Sequence, residues 1–275
     1  MIRDYVRLAR VGRGINQMTF FRKQTSKDGK KFYRNLLNGA CKNYIWGKNK
    51  RFNPIRVFNS PSINKYFTLK VEKHISSNHK VLDLGCGNGV FLAILASRCE
   101  KIVGIDISVD MLNDCSKTIE RLGIANVKLI NATSEKIPLP DNEFDVICLV
   151  DVIHHVEQLQ ESVLETHRVL KPGGKLLVFE PNKYNPVLAL LCFLDRNEWG
   201  ALRLGSMKRY RQLFEPYFNI YSMEYNGLLI GPDSKINCKI ADFLNLPIVR
   251  NLLGWLNPKI FISMTKKSEA LVLEP

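Results

Sequence analysis

A short apolar run that breaks into alternating glycines constrains the fold of this chain more than any other feature. Residues 81–89 read Val-Leu-Asp-Leu-Gly-Cys-Gly-Asn-Gly, and an apolar stretch of helical character, 90–96, follows at once. In α/β folds, a buried strand that runs into glycines and then a helix brings bare backbone against a ligand. Glycine has no Cβ, so the turn can adopt positive φ and the ligand can approach closely. The segment therefore predicts an α/β fold with a ligand site at this strand.

Predicted strands and helices alternate along most of the chain. Apolar runs predict strands at 80–84, 101–106, 127–130, 144–150, 175–180, 218–225 and 259–264. Helical patterns occur at 63–75, 90–96, 108–122 and 157–170. Ser108 is expected to cap the third of these helices and Gly123 to end it, while 52–61, with its prolines, is expected to be a connector. This alternation predicts an α/β fold: a doubly wound, mostly parallel seven-stranded sheet with helices on both faces.

The positive charge of the chain is concentrated near its N-terminus. Residues 1–60 hold 15 Lys and Arg against two acids, whereas the other 215 residues hold 25 basic and 24 acidic side chains. The same segment carries nine aromatic residues. Basic residues interleaved with rings suit RNA, where cations contact phosphates and rings stack on bases. They equally suit an anionic membrane surface.

Several classes of protein are disfavoured by composition. The seven cysteines are scattered and none forms a Cys-x-x-Cys pair, which indicates reduced thiols in a cytoplasmic protein and no metal site. No apolar run approaches the ~20 residues that span a bilayer, and the N-terminus has no secretory signal pattern. We therefore expect no integral membrane segment, and at most a peripheral position at the inner face of a membrane.

Five motifs in order resemble one family. Asp83 followed by the alternating glycines resembles motif I of the class I S-adenosylmethionine-dependent methyltransferases. The resemblance continues with an acid at the tip of the second strand (Asp106), the Pro-Leu-Pro loop and Phe-Asp of 132–145, the Ile-His-His that follows strand four, and the Lys-Pro-Gly-Gly of 171–174. It covers about residues 78–182, and it implies a Rossmann-like core of the methyltransferase type 11 kind.

The resemblance implies S-adenosyl-L-methionine as the cofactor. Asp106 would accept hydrogen bonds from both ribose hydroxyls, and Met111 would lie against adenine. Thr133 stands where the family usually has an Asp that accepts a hydrogen bond from the adenine amino group, so this bond should be weaker here. The expected cofactor-binding residues are Asp83, Gly85, Cys86, Gly87, Asn88, Gly89, Asp106, Ile107, Met111, Thr133, Ser134 and Leu149.

Two adjacent histidines are the candidate catalytic residues. Ligands of this fold lie beyond the carboxyl ends of the strands, so His154 and His155 should lie near the transferred methyl group. A hydroxyl acceptor needs a general base, and histidine is the usual choice. Asp151 and Glu180 are further candidates for that role, and a structural or cofactor-positioning role is the alternative for His155. Methyl transfer from a sulfonium needs no metal ion.

The sequence divides into a basic, aromatic-rich N-terminal extension (1–60), the cofactor-binding core (61–182), and a C-terminal helical cap with the final strands (183–275). We interpret the chain as a methyltransferase that O- or C-methylates a small, lipid-like or glycan acceptor. The apolar stretches at 187–194 and 243–255 favour a lipid-linked acceptor and peripheral contact with an anionic membrane, and buried cap helices are the alternative for them. The alternatives are an RNA (tRNA) methyltransferase that uses the basic segment, and a cofactor-binding module without catalysis.

Overall fold

A computed structural model describes residues 53–194, 198–228 and 235–268. Nearly all of the predicted N-terminal extension, and with it the basic aromatic segment for which RNA and membrane contacts are expected, lies outside the described residues.

A seven-stranded sheet forms the centre of the fold. Its strands are β1 Lys80–Leu84, β2 Lys101–Asp106, β3 Val127–Asn131, β4 Phe144–Val150, β5 Leu170–Pro181, β6 Phe218–Asn226 and β7 Lys259–Lys266. Their order across the sheet is β3-β2-β1-β4-β5-β7-β6. The first five strands pair in parallel, and β7 runs antiparallel between β5 and β6. The predicted doubly wound, mostly parallel sheet is confirmed.

Helices cover the sheet and its ends. They are α1 Pro54–Phe58, α2 Pro61–Val71, α3 Leu92–Ala96, α4 Val109–Leu122, α5 Leu159–Val169, α6 Pro186–Leu194, α7 Trp199–Leu204, α8 Met207–Phe214, α9 Lys235–Leu244 and α10 Pro247–Leu252, with 3-10 turns at Ile153–His155 and Gly254–Leu256. Within the described ranges, none of these helices has the length and apolarity that a membrane crossing requires.

Most predicted boundaries agree with the structure, and three need correction. The helix predicted at 63–75 is α2, Pro61–Val71, which starts at a proline in its first position and ends four residues earlier than expected. Helix α4 begins as expected, because the Ser108 hydroxyl accepts a 3.3 Å bond from the Met111 amide, and it ends at Gly123 with φ 64°. The expected connector at 52–61 instead contains α1, which has Pro54 at its first position and Asn53 as its cap. The Lys-Pro-Gly-Gly turn belongs to β5 itself, which already pairs with β4 at Leu170 before a register shift.

Two apolar layers bury the two faces of the sheet. Side chains alternate along β1, so Val81 belongs to one layer and Leu82 to the other. The first layer includes Phe67 of α2, and the second includes Val163 of α5 and Leu213 of α8. Because both faces are covered, the central strands read as continuous apolar runs rather than alternating ones.

The long connections gather at the carboxyl edge of the sheet, where β1, β2 and β4 end. Pro181 at the end of β5 and Asn226 at the end of β6 both align with Lys259 at the start of β7. The segment 227–258 therefore leaves and re-enters the sheet at this edge, and 182–217 starts from it. Ligands of α/β sheets bind at this edge.

Candidate cofactor and acceptor site

The glycine turn after β1 has the backbone that only glycine adopts readily. Gly85, Gly87 and Gly89 have φ of 81°, 53° and 88°. A Cβ on Gly85 would lie 2.4 Å from Val152 Cγ2, and one on Gly89 would lie 2.9 Å from Cys115 Sγ. A Cβ on Gly87 would meet no atom within 4 Å. Gly87 is therefore the glycine at which the turn faces open space, where a ligand has room.

Asp106, at the end of β2, joins the glycine turn to the start of α4. Its Oδ2 accepts a 2.9 Å bond from the Gly87 amide, and its Oδ1 accepts a 2.8 Å bond from the Ser108 amide. Burial raises the pKa of this carboxyl group, and the bonds from those amides offset only part of the rise. Each carboxylate oxygen keeps a further lone pair, so Asp106 could also accept bonds from two ligand hydroxyls.

Asp83 is a buried carboxyl group with an unsatisfied oxygen. Its Oδ2 has no hydrogen-bond partner among the described residues. Burial, with a smaller contribution from Asp106, raises its pKa to about 7. A buried oxygen of this kind calls for an explanation such as a missing ligand. A ligand carrying positive charge or hydrogen-bond donors would supply the missing partner.

The other predicted residues of the turn and of α4 lie close to these groups. Cys86 and Asn88 are buried within the turn itself. Ile107 lies half-buried between β2 and α4, and Met111 is buried in the first turn of α4. The structure therefore brings the predicted residues of motif I, strand two and α4 together around one corner of the carboxyl edge.

The remaining predicted cofactor residues are placed differently. Thr133 and Ser134 are partly buried in the loop after β3, and the Ala132 amide donates a 3.2 Å bond to the Asp106 carbonyl, which holds this loop beside β2. Leu149 has no exposed surface and packs in the core. The expectation that Leu149 contacts the cofactor stays a prediction.

His154, in the 3-10 turn after β4, is held between two carboxylates. Its Nδ1 lies 2.6 Å from Glu180 Oε2, and its Nε2 lies 3.5 Å from Glu198 Oε2. Burial alone would lower the pKa of His154, but these carboxylates raise it to about 10. His154 is therefore a buried imidazolium at neutral pH.

Glu180 anchors this arrangement from β5. It is fully buried, and its Oε1 accepts 2.8 Å bonds from the amides of Val152 and Ile153. The Tyr210 hydroxyl lies 3.4 Å from Oε2. Burial would raise the pKa of Glu180, but His154 and the Ile153 amide hold it below its usual value. Glu180 therefore stays ionised and fixes both the turn and the imidazolium.

His155 lies beside His154 and is uncharged, whereas His154 is positively charged. The two rings are 3.9 Å apart between centroids. Burial and the neighbouring positive His154 lower the pKa of His155 to about 4. We name these two residues the histidine pair. It combines one charged and one uncharged imidazole at the carboxyl end of β4.

Three further features of the site had no usable signal in the sequence. Helix α7 packs so closely that a Cβ on Gly200 would lie 1.7 Å from the His154 carbonyl oxygen. Glu198, just before α7, and Tyr210, on α8, reach the site only through the folding of the cap.

Asp151, a further candidate base, has a left-handed φ of 58° and is paired with Lys259.

The histidine pair and Glu198 also form a compact donor set. Their ligand atoms lie within 4.8 Å of one another, close enough to hold a metal ion. His154 would offer its Nε2, because its Nδ1 is bonded to Glu180. The expectation that the site needs no metal stays a prediction.

Comparison with known proteins agrees with the motifs. A family model described as "Methyltransferase domain" matches residues 82–178. The ubiquinone/menaquinone biosynthesis C-methyltransferase UbiE of Pasteurella multocida is 31% identical over 180 residues, which are 62% of this chain and 67% of that protein. The uncharacterized methyltransferase YcgJ of Bacillus subtilis is 31% identical over 104 residues, or 38% of this chain and 41% of that protein.

A solved structure shows the same fold. The crystal structure of YcgJ from Bacillus subtilis superimposes with a TM-score of 0.53 at 22% identity, covering 76% of this chain and 98% of that one. The strand order with its antiparallel β7, together with the glycine turn, defines an α/β enzyme of the class I methyltransferase fold. The chain belongs to the S-adenosylmethionine-dependent methyltransferases, and S-adenosyl-L-methionine is its cofactor.

Proposed function

We propose that this methyltransferase acts on a lipid-like acceptor with a hydroxylated ring, of the quinone-precursor class. The observation that carries the proposal is the histidine pair, which offers an uncharged imidazole beside the expected cofactor corner. The acceptor class is supported by the relative named for C-methylation in ubiquinone and menaquinone biosynthesis. The apolar helix α6, which follows β5 at the same edge of the sheet, supports it too.

The cofactor half of the site is assigned to the residues around the glycine turn. When bound, S-adenosyl-L-methionine supplies an electrophilic methyl group on a sulfonium. Asp106 is proposed to accept the ribose hydroxyls, and Asp83 to pair with positive charge on the cofactor. Gly87 leaves room for the approach of the ligand. Thr133 and Met111 are proposed to contact the adenine.

The acceptor half is assigned to the histidine pair. Methylation of a ring carbon or its hydroxyl oxygen requires the hydroxyl to lose its proton, so the site needs a proton acceptor. His155 is uncharged and is proposed to accept the proton. Its low pKa makes it a weak base, and the nearby carboxylates Glu198, Glu180 and Asp151 offset part of that weakness. His154 is already protonated and cannot accept a proton. His154 is instead a positioning residue, which Glu180 holds in place so that the turn presents His155 at the carboxyl edge.

The test compares two histidine variants of the full chain. His155→Gln should lower kcat about 10²-fold or more on a demethylated hydroquinone with a short tail, while affinity for S-adenosylmethionine stays unchanged in calorimetry. His167→Gln is the matched control, because His167 is a half-buried histidine of α5 that contacts Tyr217 and Phe218 instead. It should leave kcat unchanged.

Two results would overturn parts of the proposal. Near-normal turnover in His155→Gln would remove this residue as the proton acceptor. If the enzyme methylates tRNA but no hydroquinone of any tail length, the proposed acceptor class is wrong and the RNA alternative is favoured.

A further inference from the structure

The exposed apolar side chains of the protein are concentrated in its C-terminal cap. Among the described residues, 17 large apolar side chains are exposed, and 14 of them lie between 184 and 255, all but Tyr221 of these outside strand β6. Soluble monomers rarely expose large contiguous apolar patches, and such patches mark sites of interaction. The concentration in one region therefore indicates that the cap, rather than the sheet core, meets an apolar partner.

Helix α6 presents its apolar residues outward. Val187, Leu190 and Leu194 follow helical spacing and are 67%, 58% and 62% exposed. Of its residues only Cys192 is buried. An ordinary surface helix turns its apolar stripe toward the core, whereas α6 turns these three apolar side chains away from the core formed by the described residues.

A second apolar surface lies next to α6. Helix α10 and the turn after it expose Ile248, Leu252 and Trp255. The Asn182 side chain donates bonds to the carbonyls of Trp255 (3.2 Å) and Asn257 (2.8 Å), so the start of the α6 segment is tied to this turn. We call the outward surface of these two segments the apolar cap face. It consists of Val187, Leu190, Leu194, Ile248, Leu252 and Trp255.

We propose that the apolar cap face docks the enzyme on an anionic lipid bilayer. The inference rests on the proposed function, because a lipid-tailed acceptor resides in a bilayer. Apolar side chains with a tryptophan insert shallowly at the boundary between headgroups and acyl chains, and nearby basic residues attract anionic lipids. Lys235 and Lys239 are exposed on α9, the helix that precedes α10.

The positive charge of the chain favours an anionic bilayer over the other candidate occupants of this face. Residues 182–258 hold nine Lys and Arg against six acids, and residues 1–52 hold 14 against two. A second copy of the chain, or the chain's own residues 1–52, would therefore bring positive charge onto a positive region. An anionic bilayer is complementary to it. The cap face and the proposed acceptor site both involve the carboxyl edge of the sheet, so docking would place the site near the membrane surface.

The experiment is sedimentation of the full-length protein with vesicles, without cofactor or acceptor. Vesicles of phosphatidylcholine with one quarter phosphatidylglycerol are compared with phosphatidylcholine alone. Leu190→Ser with Leu252→Ser should lower the partition coefficient on the anionic vesicles by a factor of about 10 or more, since two leucines no longer enter the bilayer. Leu69→Ser with Leu164→Ser is the matched control, because these leucines are 44% and 41% exposed outside the cap. It should bind within about twofold of the unmodified protein.

Two outcomes would overturn the inference. Equal vesicle binding by the cap variant and the unmodified protein would show that other residues carry the attraction. A protein that is dimeric in sedimentation velocity, becomes monomeric in the cap variant and ignores vesicles would assign the face to a second copy. The cap variant should still methylate a soluble, short-tailed acceptor. If the unmodified protein methylates no hydroquinone of any tail length but still binds vesicles in a way that depends on the cap face, that result would count against the proposed function and not against the docking.

Discussion

The charge on His154 makes a prediction about stability and pH. Its pKa is about 10 in the folded protein, against an ordinary value of 6.5. Between these two pH values the folded protein binds a proton that the unfolded chain does not, so stability falls as pH rises. The contribution of this group is fully present below pH 6.5 and is lost as pH passes through about 10. The pKa difference corresponds to about 5 kcal/mol.

Glu180→Gln removes the main cause of that contribution. Glutamine has nearly the same shape, so its oxygen can still accept the amide bonds of Val152 and Ile153, which measure 2.8 Å. Without the carboxylate, burial favours the neutral form of His154. We expect the variant to be about 5 kcal/mol less stable than the unmodified protein at pH 6. At pH 10 the difference should shrink to about 1–2 kcal/mol, the value of an altered buried hydrogen bond.

Urea unfolding at pH 6, 8 and 10 measures this difference directly. The control is Glu165→Gln, because Glu165 lies 2.7 Å from Arg168. Glu165 raises the pKa of Arg168 above its ordinary value, so Arg168 stays charged at all three pH values. The cost of Glu165→Gln should therefore not change between pH 6 and 10. If the Glu180→Gln difference is equally flat over that range, His154 is not a charged residue in the folded protein. The assignment of His155 as the proton acceptor would then lose its basis.

Two further predictions concern the cofactor corner, and a third concerns the histidine pair and Glu198. Gly87→Ala and Gly123→Ala place a Cβ at φ of 53° and 64° with no atom within 4 Å, so each should cost about 1 kcal/mol of stability in thermal unfolding. Only Gly87→Ala should weaken binding of S-adenosylmethionine in calorimetry, and equal binding by both variants would refute the placement of the ligand. Thr133→Asp should tighten that binding several-fold by adding a charge-assisted hydrogen bond, and its control is Ser77→Asp, in the exposed turn before β1. A chelator should leave turnover unchanged, whereas a loss that zinc restores would make the histidine pair and Glu198 a metal site.

Local sequence determined the elements that place the cofactor corner. The bounds of β1, β2 and β4 agree with their apolar runs because each run is ended by a glycine or an acid. The limits of α4 follow from Ser108 and Gly123, which act within a few residues of themselves. The glycine turn was recognisable for the same reason, since positive φ is a property of the local chain.

Contacts between distant parts of the chain could not be predicted in this way. The pKa of His154 depends on Glu180, 26 residues further on, and on Glu198, which is brought in by the cap. From the sequence, the structural or cofactor-positioning alternative is assigned to His155, whereas the pKa directions favour His154 for the positioning role. Leu149 was expected at the cofactor, although nothing in an apolar run tells which residue the sheet will bury completely. Likewise, the apolar residue types at 187–194 do not show whether this helix is buried or exposed.

The short segment after β4 couples the two halves of the site. Val152 occupies the space that a Cβ on Gly85 would take, so this side chain packs directly on the cofactor turn. The amide of the same residue donates to Glu180, which holds His154. A shift of this segment must therefore move the glycine turn and the histidine pair together. It follows that Glu180→Ala, which removes the acceptor of the Val152 and Ile153 amides, should also weaken binding of S-adenosylmethionine although it changes a residue of the acceptor half. Glu143→Ala is the control and should not, because its partner Lys80, 3.0 Å away, lies at the opposite, amino end of β1.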